Sequence, residues 1–268
     1  MRHLLFSLAL FAMAPTAQAQ TLAAPLEVDV ELVLAVDVSR SMSAEELEIQ
    51  RRGYAEALTS PQVINAVTGG LLGRIAVTYV EWAGEYSQHV LVPWQLISGP
   101  AEAEAMAQTI LGAGPPGLRR TSISGALLFA ADAFENNGFE GLRRVIDVSG
   151  DGPNNQGAPV LAARDAVLAR GIIINGLPLM TRDALSDMWG LPDLDEYYQD
   201  CVIGGTGAFV IPVLDWGQFA AAVRRKLVLE IAAPRAPARV VPAASHAPYD
   251  CLTGEKMWRE NRPFLIIP

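Results

Sequence analysis

The chain has little of what most catalytic sites are made from. It holds three histidines and two cysteines in 268 residues. With His3 set aside in an N-terminal leader, only His89 and His246 remain, far apart and in different elements. A Ser-His-Asp triad therefore lacks a convincing base, and both histidines read as ordinary strand or surface residues. No P-loop, H-E-x-x-H, C-x-x-C or G-x-S-x-G motif is present. Gly204-Gly-Thr-Gly207 looks like a phosphate cradle, but it precedes a strand instead of opening a helix and reads as a turn. Positive charge is also short, with 20 Lys and Arg against 29 Asp and Glu. That balance lacks the basic footprint of a nucleic-acid binder, so nucleic acid is excluded as a partner class.

Long apolar runs are confined to the start. Met1-Arg2-His3, the apolar stretch Leu4 to Ala14 and the small-residue site Ala17-Gln18-Ala19 have the layout of a secretory signal peptide. Residues 1–19 are expected to be cleaved, which removes Arg2 and deepens the acidic balance. No later segment is long and uncharged enough to be a membrane helix. The mature chain is expected to be exported, periplasmic or secreted, with no transmembrane segment. Export permits a disulfide between Cys201 and Cys251 that would tether the tail; two unpaired thiols are the alternative.

What is present is an alternation of strand and helix patterns. Residues 20–27 read as a linker, 28–232 as one large α/β domain and 233–268 as a Pro- and Ala-rich extended tail. Val30 to Val36 is an apolar run suited to a strand buried on both faces. Ser43 and Glu46 fit a capping box, opening a helix that stops before Pro61. Further strands are expected at Arg74 to Trp82, His89 to Trp94, Arg144 to Ser149, Ile172 to Leu177 and Ala208 to Val213. Helices are expected near Ala101 to Leu111, Thr121 to Phe134, Pro159 to Arg170, Asp193 to Asp200 and Asp215 to Ile231. The short link between the second and third strands makes them an antiparallel hairpin. The expected fold is α/β and doubly wound: a mostly parallel six-stranded sheet with one antiparallel edge strand and helices on both faces.

The first strand ends in Asp37-Val-Ser39-Arg-Ser41. In an extended loop residues two apart point the same way, so a carboxylate and two hydroxyls converge. Two further loops leave the same sheet edge. One brings Thr121 at the start of a helix; the other brings Asp151, flanked by Gly150 and Gly152. The donors are all oxygen, which suits a hard cation such as Mg2+, or Mn2+ or Ca2+. Taken singly, each hydroxyl is better explained as a helix cap and each aspartate as a loop residue bonding backbone N–H groups. Ser43 already fills the cap role, which leaves Ser41 for the cluster.

Asp37-x-Ser39-x-Ser41, Thr121 opening a helix and Asp151-Gly152 after a strand together resemble the metal-ion-dependent adhesion site of the von Willebrand factor type A domain. The resemblance covers about Val28 to Ile231. Ile75 to Trp82, Arg144 to Asn155, Ile174 to Pro178 and Gly204 to Phe209 look like a bacterial subgroup of exported type A proteins of uncharacterised function. The resemblance implies metal ligation by Ser39, Ser41 and Thr121, with Asp37 and Asp151 acting directly or through water. It also implies a protein partner that presents a carboxylate to the ion.

Departures from the family pattern are Glu81-Trp82 at the end of the second strand and Asp147 inside the fourth. Arg143 or Arg144 would pair with Asp147 if that strand starts late; otherwise Glu81 and Asp147 serve the site or a second polar network. Asn154 and Asn155 are candidates for contact with a ligand, or for turn formation. Two other functions stand beside the adhesion reading. One is a metal-assisted phosphohydrolase using Asp37, which lacks a second carboxylate because Ser39 stands two residues on. The other is a metal-free scaffold subunit of an envelope complex.

Overall fold

The computed structural model describes residues 24–114, 120–181, 190–232 and 249–261. The expected leader, most of the Gly- and Pro-rich loop near 115–119 and much of the tail lie outside the described residues.

Five strands form the main sheet. In spatial order they are β4 (Gln88–Ile97), β3 (Ile75–Trp82), β2 (Glu31–Asp37), β6 (Arg144–Gly150) and β7 (Ile173–Pro178). β2 pairs in parallel with β3 and β6, and β6 with β7, while β4 runs antiparallel at the edge as the short link before it requires. All seven residues of β2 are buried, which is why its sequence is a continuous apolar run. Its alternation still sorts the two faces. Leu32, Leu34 and Val36 join one core with Tyr54, Leu58, Phe219 and Leu227. Val33 and Ala35 join the other with Ile123, Leu127, Val160 and Tyr198.

The first core is covered by α1 (Ala44–Thr59), α2 (Pro61–Thr68), α3 (Pro100–Leu111) and α7 (Phe219–Ala232). The second is covered by α4 (Ile123–Asp132), α5 (Val160–Leu168) and α6 (Leu194–Tyr197), the last continuing as a π-helical turn, Tyr198–Val202. The capping box forms as expected: Glu46 N–H donates to Ser43 Oγ and Ser43 N–H to the Glu46 carboxylate.

The structure corrects the expected architecture in four places. The main sheet has five strands, not six, because Ala208 to Val213 runs beside β7 with only isolated bridges, at Val210 and Val213. Its ladder is interrupted where the Asn175 side chain takes the Phe209 N–H and where Pro212 has no N–H to give. β1 (Leu26–Val28) starts inside the stretch read as linker and pairs in parallel with β5 (Phe139–Gly141) as a separate two-stranded sheet. Pro61 ends α1 and also starts α2, where its fixed φ suits the first helical turn and Ser60 supplies the cap. The tail is not wholly extended: α8 (Thr253–Asn261) is helical, and Cys251 just before it is disulfide-bonded to Cys201.

Candidate functional site

Parallel pairing aligns the ends of β2 and β3, placing Asp37 opposite Trp82, while β6 runs on past Ser149, the partner of Val36, to Gly150. Asp37 Oδ1 accepts the Ser39 N–H at 2.7 Å, which turns the loop back over the strand end. The Gln50 amide on α1 donates to the Asp37 carbonyl at 2.9 Å and anchors it from below. Ser39 Oγ then lies 3.0 Å from Ser41 Oγ, and Ser41 Oγ donates to Asp151 Oδ1 at 3.0 Å. Thr121 is tied to the Asp151 loop reciprocally: its N–H donates to Asn155 Oδ1 at 3.2 Å and its carbonyl accepts the Asn155 N–H at 3.0 Å. The α4 cap is Ser122, whose Oγ accepts the Gly125 N–H, so Thr121 has no cap duty.

The Asp37 carboxyl is fully buried, and its acidity is lowered first by loss of hydration and then by the charge of Asp151. Its Oδ2 makes no hydrogen bond. Gly150 presses against that oxygen: a Cβ there would stand 2.9 Å from both Asp37 Oδ2 and the Tyr198 hydroxyl. Only glycine leaves room. Trp82 and Tyr198 are buried beneath the cluster, and the Trp82 Nε1 and Tyr198 Oη atoms also lack hydrogen-bond partners. An unpartnered buried carboxylate oxygen next to two hydroxyls and a second carboxylate fits a hard divalent cation. Among the described residues no group of three or more His, Cys, Asp or Glu side chains is placed to hold a metal ion, so the hydroxyls of Ser39, Ser41 and Thr121 would have to complete any ligand set.

Other expected site residues have different work. Glu81 forms a buried ion pair with Arg51, Nη2 to Oε1 at 2.6 Å, and Arg51 also donates to the carbonyls of Ala113 and Gly114. Asp147 pairs with neither Arg143 nor Arg144. Arg143 reaches the Ile231 carbonyl and Arg144 the carboxylate of Glu31, while Asp147 meets Lys226 from α7. Asn154 is spent internally: its Oδ1 accepts the Ser124 N–H, and its Nδ2 donates to the Ala158 carbonyl and to Glu255 on α8. Asn155 positions Thr121, as described. Gln50 and Tyr198 went unrecognised in the sequence, since neither sits in a motif.

α8 closes one side of this region. Gly254 packs so tightly on the Asn154 carbonyl that a Cβ would lie 2.1 Å from it. The Arg120 guanidinium, adjacent to Thr121, stacks 3.7 Å from the centre of the Trp258 ring. Arg120 takes a positive φ of 76° to do so.

Comparison with known proteins bears on the fold. Residues 27–235 match the family described as "Protein of unknown function (DUF1194)". No curated protein matches the chain. Among solved structures, proximal thread matrix protein 1 from the mussel byssus is similar at a TM-score of 0.56 and 15% identity, over 78% of this chain and 49% of that one. Another structure of that protein, with a zinc-occupied MIDAS motif, gives a TM-score of 0.54. The pilus adhesin SpaC from Lactobacillus rhamnosus GG is similar at 0.56 and 12% identity, over 78% of this chain and 31% of that one. A von Willebrand factor type A protein from Catenulispora acidiphila gives 0.53 at 14% identity, over 76% and 43%. The chain spans about half or less of each of these proteins, and the likeness establishes a von Willebrand type A fold.

Proposed function

The chain belongs to the DUF1194 family, and we propose that it is an exported, metal-dependent protein-binding domain. Its cluster of Asp37, Ser39, Ser41, Thr121 and Asp151 would hold Mg2+, or Mn2+ or Ca2+, and engage a carboxylate of a protein partner. The observation that carries this reading is the buried Asp37 Oδ2 without a hydrogen-bond partner, at the head of the Ser39–Ser41–Asp151 chain. Ser39, Ser41 and Thr121 would bind directly, and Asp37 and Asp151 directly or through water. A bound divalent ion would supply local positive charge that an acidic protein otherwise lacks, and so attract an acidic side chain.

The residues around the cluster keep its oxygens in place. The Ser39 N–H fixes one Asp37 oxygen and leaves the other for the ion. Asn155 holds Thr121 against the Asp151 loop, and Trp82 and Tyr198 keep the floor dry. Export is supported by the signal-peptide pattern in residues 1–19 and by the Cys201–Cys251 bond, which suits an oxidising compartment. No helix among the described residues is long and apolar enough to cross a membrane.

Calorimetry with Mg2+ and Mn2+, followed by a pull-down from the organism's envelope fraction, tests the proposal. Micromolar to millimolar metal binding is expected, by analogy with extracellular calcium modules, with partners recovered only when metal is present. Recovery of the same partners by Asp37→Ala or in chelator overturns it. Magnesium-dependent phosphatase turnover lost in Asp37→Asn would favour the hydrolase instead.

A further inference from the structure

Lys226 on α7, Asp147 on β6 and Glu230 one turn further along α7 all have side chains with 0% exposure. Lys226 Nζ lies 2.5 Å from Glu230 Oε1 and 2.7 Å from Asp147 Oδ1. The contact with Glu230 has hydrogen-bond geometry, and Asp147 meets the same nitrogen as an ion pair. Glu230 Oε1 is held from the other side by Asn175 Nδ2 at 3.0 Å, and the Phe209 ring centre lies 5.5 Å from Nζ.

A lysine between two carboxyls in a dry core is poor as an ion pair, because three groups give up hydration for two attractions that the Asp147–Glu230 repulsion offsets in part. Burial favours the uncharged form of each carboxyl, against the opposing pull of the Lys226 charge. It raises the Asp147 carboxyl above its ordinary range and pushes Glu230 up to about 7. A free amine next to a protonated acid is a nucleophile next to its electrophile. In water, ammonium carboxylate formation and excess solvent hold this pair back from amide formation. Excess solvent is absent here, and the fold presents the amine at contact distance from the carboxyl group.

We propose that Lys226 and Asp147 join in an intramolecular amide bond, with Glu230 as the proton-transfer group. A proton passes from Lys226 Nζ to the Asp147 carboxylate, and the amine so freed attacks Cγ of the protonated carboxyl. Glu230, hydrogen-bonded to the same nitrogen, passes a proton from it to the departing hydroxyl. One C–N bond forms, one C–O bond breaks and one water leaves, with no oxidant, nucleotide or metal consumed. The product ties α7 covalently to β6, the strand that runs into the Asp151 loop. It is independent of metal binding.

Peptide mass spectrometry of the full chain, denatured, reduced and digested with trypsin, tests this. The expected product is a branched peptide joining Val145 to Arg164 with Lys226 to Arg235, one water lighter than its parts, with no cleavage after Lys226. In Asp147→Ala the branch disappears, and in Glu230→Gln it falls by about tenfold or more. Unbranched peptides from the wild-type protein, with cleavage after Lys226, overturn the proposal. A water loss confined to Lys226 to Arg235 also overturns it, since the amide would then join Lys226 to Glu230. An undiminished branch in Glu230→Gln removes Glu230 from the reaction. The deciding measurement is on the wild-type chain, so misfolding of a variant does not decide the outcome.

Discussion

Ser41 donates a hydrogen bond to Asp151 across 110 residues of chain, Oγ to Oδ1 at 3.0 Å. The contact joins the loop after β2 to the loop after β6, which are neighbours only because these two strands pair in parallel. Parallel strands carry their outgoing loops to the same edge, where α/β folds gather ligands.

Asp37→Asn should separate metal binding from stability. The amide keeps an oxygen for the Ser39 N–H and removes a buried charge whose protonation is favoured by burial and by Asp151. In chelator the variant should be more stable than wild type. It should lose the thermal shift that Mg2+ gives the wild type. Denaturant titrations with and without Mg2+ measure both, and destabilisation in chelator would contradict the account.

Gly150→Ala tests the closeness of the site floor. The added methyl would press on Asp37 Oδ2, Tyr198 Oη and Trp82 Cζ2. A stability loss of about 1–3 kcal/mol is expected, together with weaker Mg2+ binding by calorimetry. Wild-type affinity in a folded variant would show that Asp37 Oδ2 is not a ligand.

Arg51 and Glu81 are expected to be structural. Arg51→Ala leaves the Glu81 carboxylate buried without its cation, a change worth about 3–5 kcal/mol of stability. Arg51→Met combined with Glu81→Leu should recover most of that loss, and its thermal response to Mg2+ should match wild type. A lost metal response in the stable double variant would return Glu81 to the site.

Cys251→Ser should loosen α8 without abolishing metal binding. The bond spans 50 residues, for which the chain-entropy model gives an upper value of roughly 4 kcal/mol. Hydrogen exchange should rise through α8 and around Asn154, where Gly254 and Glu255 pack. The Mg2+ response should persist, because α8 packs on Asn154 and Arg120, which are not among the five proposed ligands.

The alternating oxygens after β2 were legible because strand geometry converts spacing two into a shared direction. Thr121 and Asp151 were legible because each sits beside a local signal, a helix start or a glycine pair. The Lys226 partner of Asp147 was not, since no local rule links a strand residue to a helix so far along the chain. Tyr198 was missed for the same reason, whereas Gln50, only 13 residues past Asp37, was missed because no motif marks it. The expected strand at Ala208 to Val213 has strand-like side chains, but competition from the Asn175 amide and the missing donor of Pro212 act on its backbone. In the tail, Pro and Ala masked a short helix whose partner is another loop.

The close packing of Gly254 on Asn154 sets an order of assembly. Glu255 follows its partner Asn154 by 101 residues, and α8 begins at Thr253, well after α7 ends at Ala232. Every strand of the sheet and every helix that covers it is therefore complete before α8 begins. As an exported chain emerges N-terminus first, the five proposed ligands would come together with one side bare, and an ion would reach them before the wall does.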